Sequence, residues 1–241
     1  MTRPPFELEK PVIDEFGAPR DGEPQVSNER LFMQMLVFTG CEDTLAVAEA
    51  VSGAGFEAVI YEDIHDPKGI GLLTFHRDPT YFVSNVRNLL RREPMNALTL
   101  RPEYSMLGRT YALGHEADLD HYLFKRPRHT ALNPDWPWAI WYPLRRRGTF
   151  TQLPADEQRK ILMEHAKIGM AYAESDYVHD IRLASHGLDP NDNDFVIGLV
   201  GRELAPLSKI VEKMRSTTQT AQYLEKLGPF FVGRAAWRSQ L

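Results

Sequence analysis

YVHDIRLASHGLDPNDNDFVIGLVG (177–201) is the stretch on which the fold turns. Two apolar runs, YVHDIRLAS (177–185) and DFVIGLVG (194–201), flank a short segment rich in Gly, Pro, Asn and Asp. That pattern reads as neighbouring strands joined by a turn, not as a strand leading into a crossover helix. In the first run Asp180 and Arg182 fall on one face, and Ile181 and Leu183 on the other, because side chains alternate along a strand. Upstream, Ala155 to Ala173 has helical periodicity and WAIWYPL (138–144) reads as a strand. Downstream, Leu204 to Leu224 reads as a helix and GPFFVGRAA (228–236) as a last strand. The order is strand–helix–strand–strand–helix–strand.

The N-terminal half repeats it. LFMQMLVF (31–38) is a strand, and Thr44 to Gly53 a helix ended by Gly53 and Gly55. AVIYEDI (58–64) and IGLLTFHR (70–77) are strands about a turn containing Asp66, Pro67 and Gly69. Tyr81 to Arg92 is amphipathic, with Phe82, Val86, Leu89 and Leu90 on one side, and 97–114 is extended. The ferredoxin-like arrangement is thus written twice. The expected class is α+β, with the two units pairing their sheets into a dimeric-type α+β barrel within one chain, which also covers exposed sheet edges. A doubly wound sheet would require strictly alternating strands and helices. The expected division is an arm (1–29), an N-terminal unit (30–134) and a C-terminal unit (135–241). Pro4, Pro5, Pro11, Pro19 and Pro24 make the first segment an extended arm, able in an oligomer to wrap a neighbouring subunit.

Composition removes several function classes. Twenty-eight Lys and Arg against 33 Asp and Glu give a net charge of −5, without the basic field of a general nucleic-acid binder. No apolar run is long enough for a membrane span, and MTRPPFELEK has no secretory apolar region, so a cytoplasmic location is expected. Cys41 is the single cysteine, which excludes an intrachain disulfide and any multi-cysteine metal site. No nucleophile elbow, Walker motif or Rossmann fingerprint occurs. GHEADLDH (114–121) holds His115 and His121 at a spacing that fits no zinc motif and reads as a polar loop.

The chemistry concentrates on DEQRKILMEHAKIGMAYA (156–173). Ile161, His165, Ile168 and Tyr172 share one helical face, so His165 lies on the buried stripe, with Gly169 one turn later leaving room for a flat group. Two readings stand: a core histidine bonded to a carbonyl, or an axial ligand to haem iron.

Five ordered motifs bear on that choice: WYPLRRR (141–147), LPADEQRKILMEHAKIGMAYA (153–173), SHGLDPNDNDFV (185–196), EKMRSTTQTAQY (212–223) and GPFFVGR (228–234). Together they resemble the chlorite dismutase superfamily, most closely its coproheme decarboxylase branch. The resemblance implies a haem or coproheme site with His165 as proximal iron ligand. Its Nδ1–H would be held by an acceptor; Glu164 points about 100° away on the helix, so an acid from another element is expected. Tyr142 stands where the decarboxylases carry a redox-active tyrosine, and would be catalytic; otherwise it is one aromatic among Trp136, Trp138 and Trp141. Arg126, Arg146 and Thr220 match positions that contact propionates, for which the guanidinium fork is suited. The Arg145–Arg147 run also reads as a solvated turn cluster.

Asp180 falls where the family carries glutamine or arginine, and Arg182 could supply a cation beside it; the two could equally pair with each other. Leu144 replaces a methionine at little change in volume. The implied activity is peroxide-dependent decarboxylation of coproheme to haem b, with the porphyrin as partner. The rivals are a chlorite dismutase or peroxidase-like haem b enzyme, and a family member that binds haem without catalysis or has lost it. The resemblance also implies a homopentamer.

Overall fold

The computed structural model describes Leu8 and residues 10–240. Residues that composition assigns to an extended arm include a hairpin, β1 (Glu15–Arg20) and β2 (Glu23–Ser27). Asp21 (φ 54°) and Gly22 (φ 86°) make its turn, the Asp-Gly pairing whose left-handed backbone suits a two-residue hairpin loop. The hairpin is fastened to its own chain. Glu15 Oε1 lies 3.1 Å from both Arg30 and Arg109, and Glu15 Oε2 accepts from Ala112 N at 2.9 Å. The start of the expected arm, residues 1–7 and 9, lies outside the described residues.

The duplicated order follows. The first pass is β3 (Phe32–Thr39), α1 (Thr44–Gly53), β4 (Ala58–Asp63), β5 (Ile70–His76), a π-helical turn at Phe82–Val86 running into α2 (Arg87–Leu90), then β6 (Thr99–Leu100) and β7 (Met106–Arg109). A second π-helical turn at His121–Lys125 leads into α3 (Arg126–Leu132), an element absent from the sequence reading. The second pass is β8 (Trp138–Arg146), α4 (Ala155–Glu174), β9 (His179–Ala184), β10 (Phe195–Gly201), α5 (Leu204–Arg215), α6 (Thr218–Tyr223), β11 (Leu224–Leu227) and β12 (Phe231–Arg238). Asp43 caps α1, accepting from Leu45 N and Ala46 N. Asp156 and Glu157 in the first turn of α4 complement its dipole.

The pairings are antiparallel and close on themselves in the order β3-β5-β4-β12-β8-β10-β9-β7-β3. This is a duplicated ferredoxin-like α+β barrel. The β7–β9 seam consists of the single pair Arg109↔Ala184. Inside lies one core to which the ring strands contribute, including Met35, Val59, Leu73, Trp141, Leu183, Val196 and Phe231. Outside the first pass, α1 and α2 cover Ile60, Ile70 and Leu72; outside the second, α4 and α5 cover Ile140, Tyr142, Leu144 and Leu199.

The helix expected over 204–224 is two helices. Thr217 interrupts it with extended backbone (φ −71°, ψ 151°) and caps α6 through its side chain, the competition with helical backbone that short hydroxyl residues make. Among the described residues, no helix is long and apolar enough to cross a membrane.

Two glycines mark where backbone approaches the barrel core. A Cβ on Gly198 would stand 2.5 Å from the Trp141 ring, and one on Gly71 2.6 Å from the Phe231 ring. Both aromatics are essentially inaccessible and cannot swing away. Gly198→Ala is therefore expected to destabilise the protein by about 1–3 kcal/mol, as overpacked cores do; chemical denaturation checks this, and an unchanged midpoint would contradict it.

Candidate functional site

Pairing of β8 with β10, and of β10 with β9, sets the site's floor. Tyr142 faces Ile197, which faces Arg182; Ile140 faces Leu199, which faces Asp180. Because alternate residues share a face, Tyr142, Arg146, Asp180 and Arg182 all lie on the helix-covered side, while Trp141, Ile181 and Leu183 point into the barrel. α4 lies across this floor, with Ile161 buried and Ile168 and Tyr172 packed against the same cluster. His165 follows from that stripe. Its electrostatic surroundings include Arg146, Arg182 and Asp180, so helix and floor converge on it.

Burial, with Arg146 and Arg182 adding to it, pushes the His165 imidazole down to about 4, against weaker opposition from Glu164 and Asp180. The ring is neutral at neutral pH. Its Nδ1 lies 3.3 Å from Thr217 Oγ1, on the connection between α5 and α6. The acid expected there is absent among the described residues, and a hydroxyl stands in its place. Glu164 is engaged elsewhere, accepting from Thr218 N at 3.1 Å and tying the start of α6 to α4. A Cβ on Gly169 would make an ordinary van der Waals contact with the end of the Met214 side chain, at 3.8 Å.

Tyr142 is 9% exposed and stacks on Phe230, ring centres 4.7 Å apart. Burial pushes its phenol far up, with the Asp180 charge adding to the effect. Among the described residues its hydroxyl makes no hydrogen bond. Such a phenol keeps its proton across the physiological range.

The arginines divide. Asp180 pairs with Arg126 at 2.5 Å and with Arg182 at 2.7 Å. Burial opposes ionisation of Asp180, yet the Arg182 and Arg126 charges hold its carboxyl below the usual range. Arg182 Nη2 also donates to the Tyr122 hydroxyl at 3.3 Å. The pairing left open by the sequence is thus made, and it takes in Arg126 as well. Arg146 differs. Its guanidinium lies over Phe150 and Phe195, 5.0 and 4.7 Å from the ring centres, and its buried Nε has no partner. Burial lowers its affinity for the proton, with the Tyr111 phenol and Asp194 opposing. Arg145 pairs with Asp192 at 2.7 Å, and Arg147 donates to Leu224 O, so these two are the surface part of the run.

Thr220, on α6, lines a cleft of about 400 Å³ with Arg215, Leu224, Glu225, Lys226 and Leu227. His165, Tyr142 and Arg126 do not line it. Arg215 and Lys226 make no ion pair among the described residues. Neither was singled out in the sequence; Arg215 sits inside the motif EKMRSTTQTAQY but is one of many exposed cations. GHEADLDH is a loop organised by Glu116, which accepts from the N–H groups of Leu113, Gly114 and His115. No cluster of three or more His, Cys, Asp or Glu suited to a metal ion occurs among the described residues.

The architecture defines a class, the duplicated ferredoxin-like barrel with one helix-covered polar face. Residues 72–236 match the family described as chlorite dismutase, and the chain belongs to that family. It is similar to a novel heme-binding protein from Thermus thermophilus (TM-score 0.67, 20% identity, covering 86% of this chain and 91% of that one). It is also similar to a mutant chlorite dismutase from Candidatus Nitrospira defluvii (TM-score 0.67, 14% identity, 88% and 93%). Chlorite dismutase from the same organism in complex with imidazole gives a TM-score of 0.66 at 15% identity, over 88% and 93%. At these identities the likeness is one of fold.

The depressed His165 fixes a pH signature in porphyrin-free protein. The unfolded ring protonates near the ordinary value of 6.5 and the folded ring near 4, so stability falls as pH drops from 6.5 towards 4. The loss amounts to roughly 2–3 kcal/mol. His165→Gln is expected to remove that part of the slope in denaturation measured across this range; a slope identical to wild type would contradict it.

Proposed function

We propose that the chain binds an iron porphyrin and carries out peroxide-dependent oxidative decarboxylation of coproheme. The observation that carries the reading is the convergence of a neutral imidazole, a buried phenol and an arginine with an orphaned donor on one face of the barrel. The family and the heme-binding neighbour support the porphyrin. The residues fit such a group: His165 has Nδ1 engaged and a second nitrogen to offer iron, and the unpartnered Nε of half-buried Arg146 suits a carboxylate. Arg215, Lys226 and Thr220, around the adjoining cleft, are further candidates to hold propionates. Arg126, in salt bridge with Asp180, would have to leave that partner to do so.

When bound, the iron centre supplies the reaction with peroxide. For each propionate the balance is R–CH2–CH2–COO⁻ + H2O2 + H⁺ → R–CH=CH2 + CO2 + 2 H2O. The chain contributes orientation and a hydrogen-atom relay. Tyr142 would give up its O–H hydrogen, proton and electron together, and recover one from the substrate side chain. Burial suits it to this, since a phenol with so high an affinity for its proton is not lost to simple ionisation.

A protohaem enzyme acting on chlorite is the second reading, supported by the family. It calls for a distal cation free to meet an anion, and the pairing of Arg126 and Arg182 with Asp180 weighs against it.

Tyr142→Phe is expected to abolish conversion of coproheme by peroxide, read by mass analysis of the porphyrin, while coproheme binding changes less than tenfold. Conversion retained by the variant would remove the tyrosine's role. Oxygen evolved from chlorite over many turnovers by the wild type would favour the second reading.

A further inference from the structure

Thr217 is 1% exposed and lies at the break between α5 and α6, directly behind the His165 ring. Its hydroxyl oxygen has four polar neighbours. The Met214 carbonyl is at 2.8 Å, His165 Nδ1 and the Thr220 hydroxyl are each at 3.3 Å, and Thr220 N is at 3.4 Å. A hydroxyl carries one proton and two lone pairs. Met214 O is the nearest of the four and can only accept, so the proton belongs to that bond. Towards its other neighbours the oxygen can only accept, and after Thr220 N, which it caps, one lone pair is left for the His165 ring.

We infer that Thr217 is a positioning residue for His165: it accepts a hydrogen bond from Nδ1–H and thereby leaves the Nε2 lone pair exposed. The hydrogen bond made by one ring nitrogen decides what the other can do. This runs against the default, since free histidine prefers its proton on Nε2. It also replaces the carboxylate that the sequence leads one to expect. A hydroxyl pulls on the Nδ1 proton less than a carboxylate does, so the ring stays a neutral imidazole with little imidazolate character. The carboxylate adjacent in the chain, Glu164, is held off by Thr218 N. The break in the helix therefore has a use: with α5 continued through 217, its hydroxyl would lose the capping position that aims it at the ring.

The inference rests on the proposed porphyrin reading only for the purpose that Nε2 serves; the tautomer is a property of the chain alone. The test is long-range ¹H–¹⁵N correlation of the His165 ring in ¹⁵N-labelled, porphyrin-free protein at neutral pH, assigned with His165→Gln. Wild type and Thr217→Ser are expected to carry the proton predominantly on Nδ1, and Thr217→Val predominantly on Nε2. A wild-type ring protonated on Nε2 would overturn the inference, as would a Thr217→Val spectrum like that of wild type. Should the valine variant fail to fold, the wild-type spectrum alone decides. Coproheme titration of the same wild-type sample separates the two claims: an Nδ1–H ring with no Soret band would retain the positioning role and remove the porphyrin reading.

Discussion

The pairing of β8 with β10, and of β10 with β9, places Tyr142, Arg146, Asp180 and Arg182 on one side of a sheet and Trp141, Ile181 and Leu183 on the other. Everything proposed for the site depends on that alternation. A slip of one residue would exchange the two sets, moving polar groups into the barrel and apolar ones under α4. The register is held by the packing it creates. Trp141 lies over Gly198, directly opposite it in the ladder, and a side chain at 198 would not fit.

On this floor the chain places groups of different availability. Asp180 neutralises part of the charge of Arg126 and Arg182, and the trio is tied to the Tyr122 hydroxyl, so the far side of the face is a closed network. Arg146 is the exception: among the described residues its half-buried guanidinium makes no ion pair and rests on aromatic rings. Withdrawing a charge from water without a partner is costly, and unpartnered charges of this kind cluster at functional sites. His165 is in a similar state: neutral, fixed through Nδ1, and facing cations that disfavour its protonation. In the proposed reading both residues await an anionic, metal-bearing ligand.

Much of this is legible in the sequence. Strand alternation in YVHDIRLAS puts Asp180 and Arg182 together, and the 3.6-residue period of α4 puts His165 on the covered face. The same alternation in WYPLRRR separates Arg146 from Arg145 and Arg147, although the run itself reads as a uniform charge cluster. The hairpin at 15–27 is hidden by its prolines, even though Asp21-Gly22 is a strong turn signal. α3 escapes a sequence reading because the turn leading into it is π-helical, which blurs the helical period. The partner of His165 is illegible for a different reason: 52 residues separate it from Thr217, and the contact exists only because Thr217 stops a helix whose composition would let it continue.

The central claim is that His165 offers its free nitrogen to the iron of a bound porphyrin. Its most direct test is anaerobic titration of wild type and His165→Gly with ferric coproheme, followed by Soret absorption with and without added imidazole. A Soret band typical of histidine-ligated iron is expected in wild type, lost in the glycine variant and restored when imidazole fills the space. A His165→Gly spectrum identical to that of wild type would contradict the account.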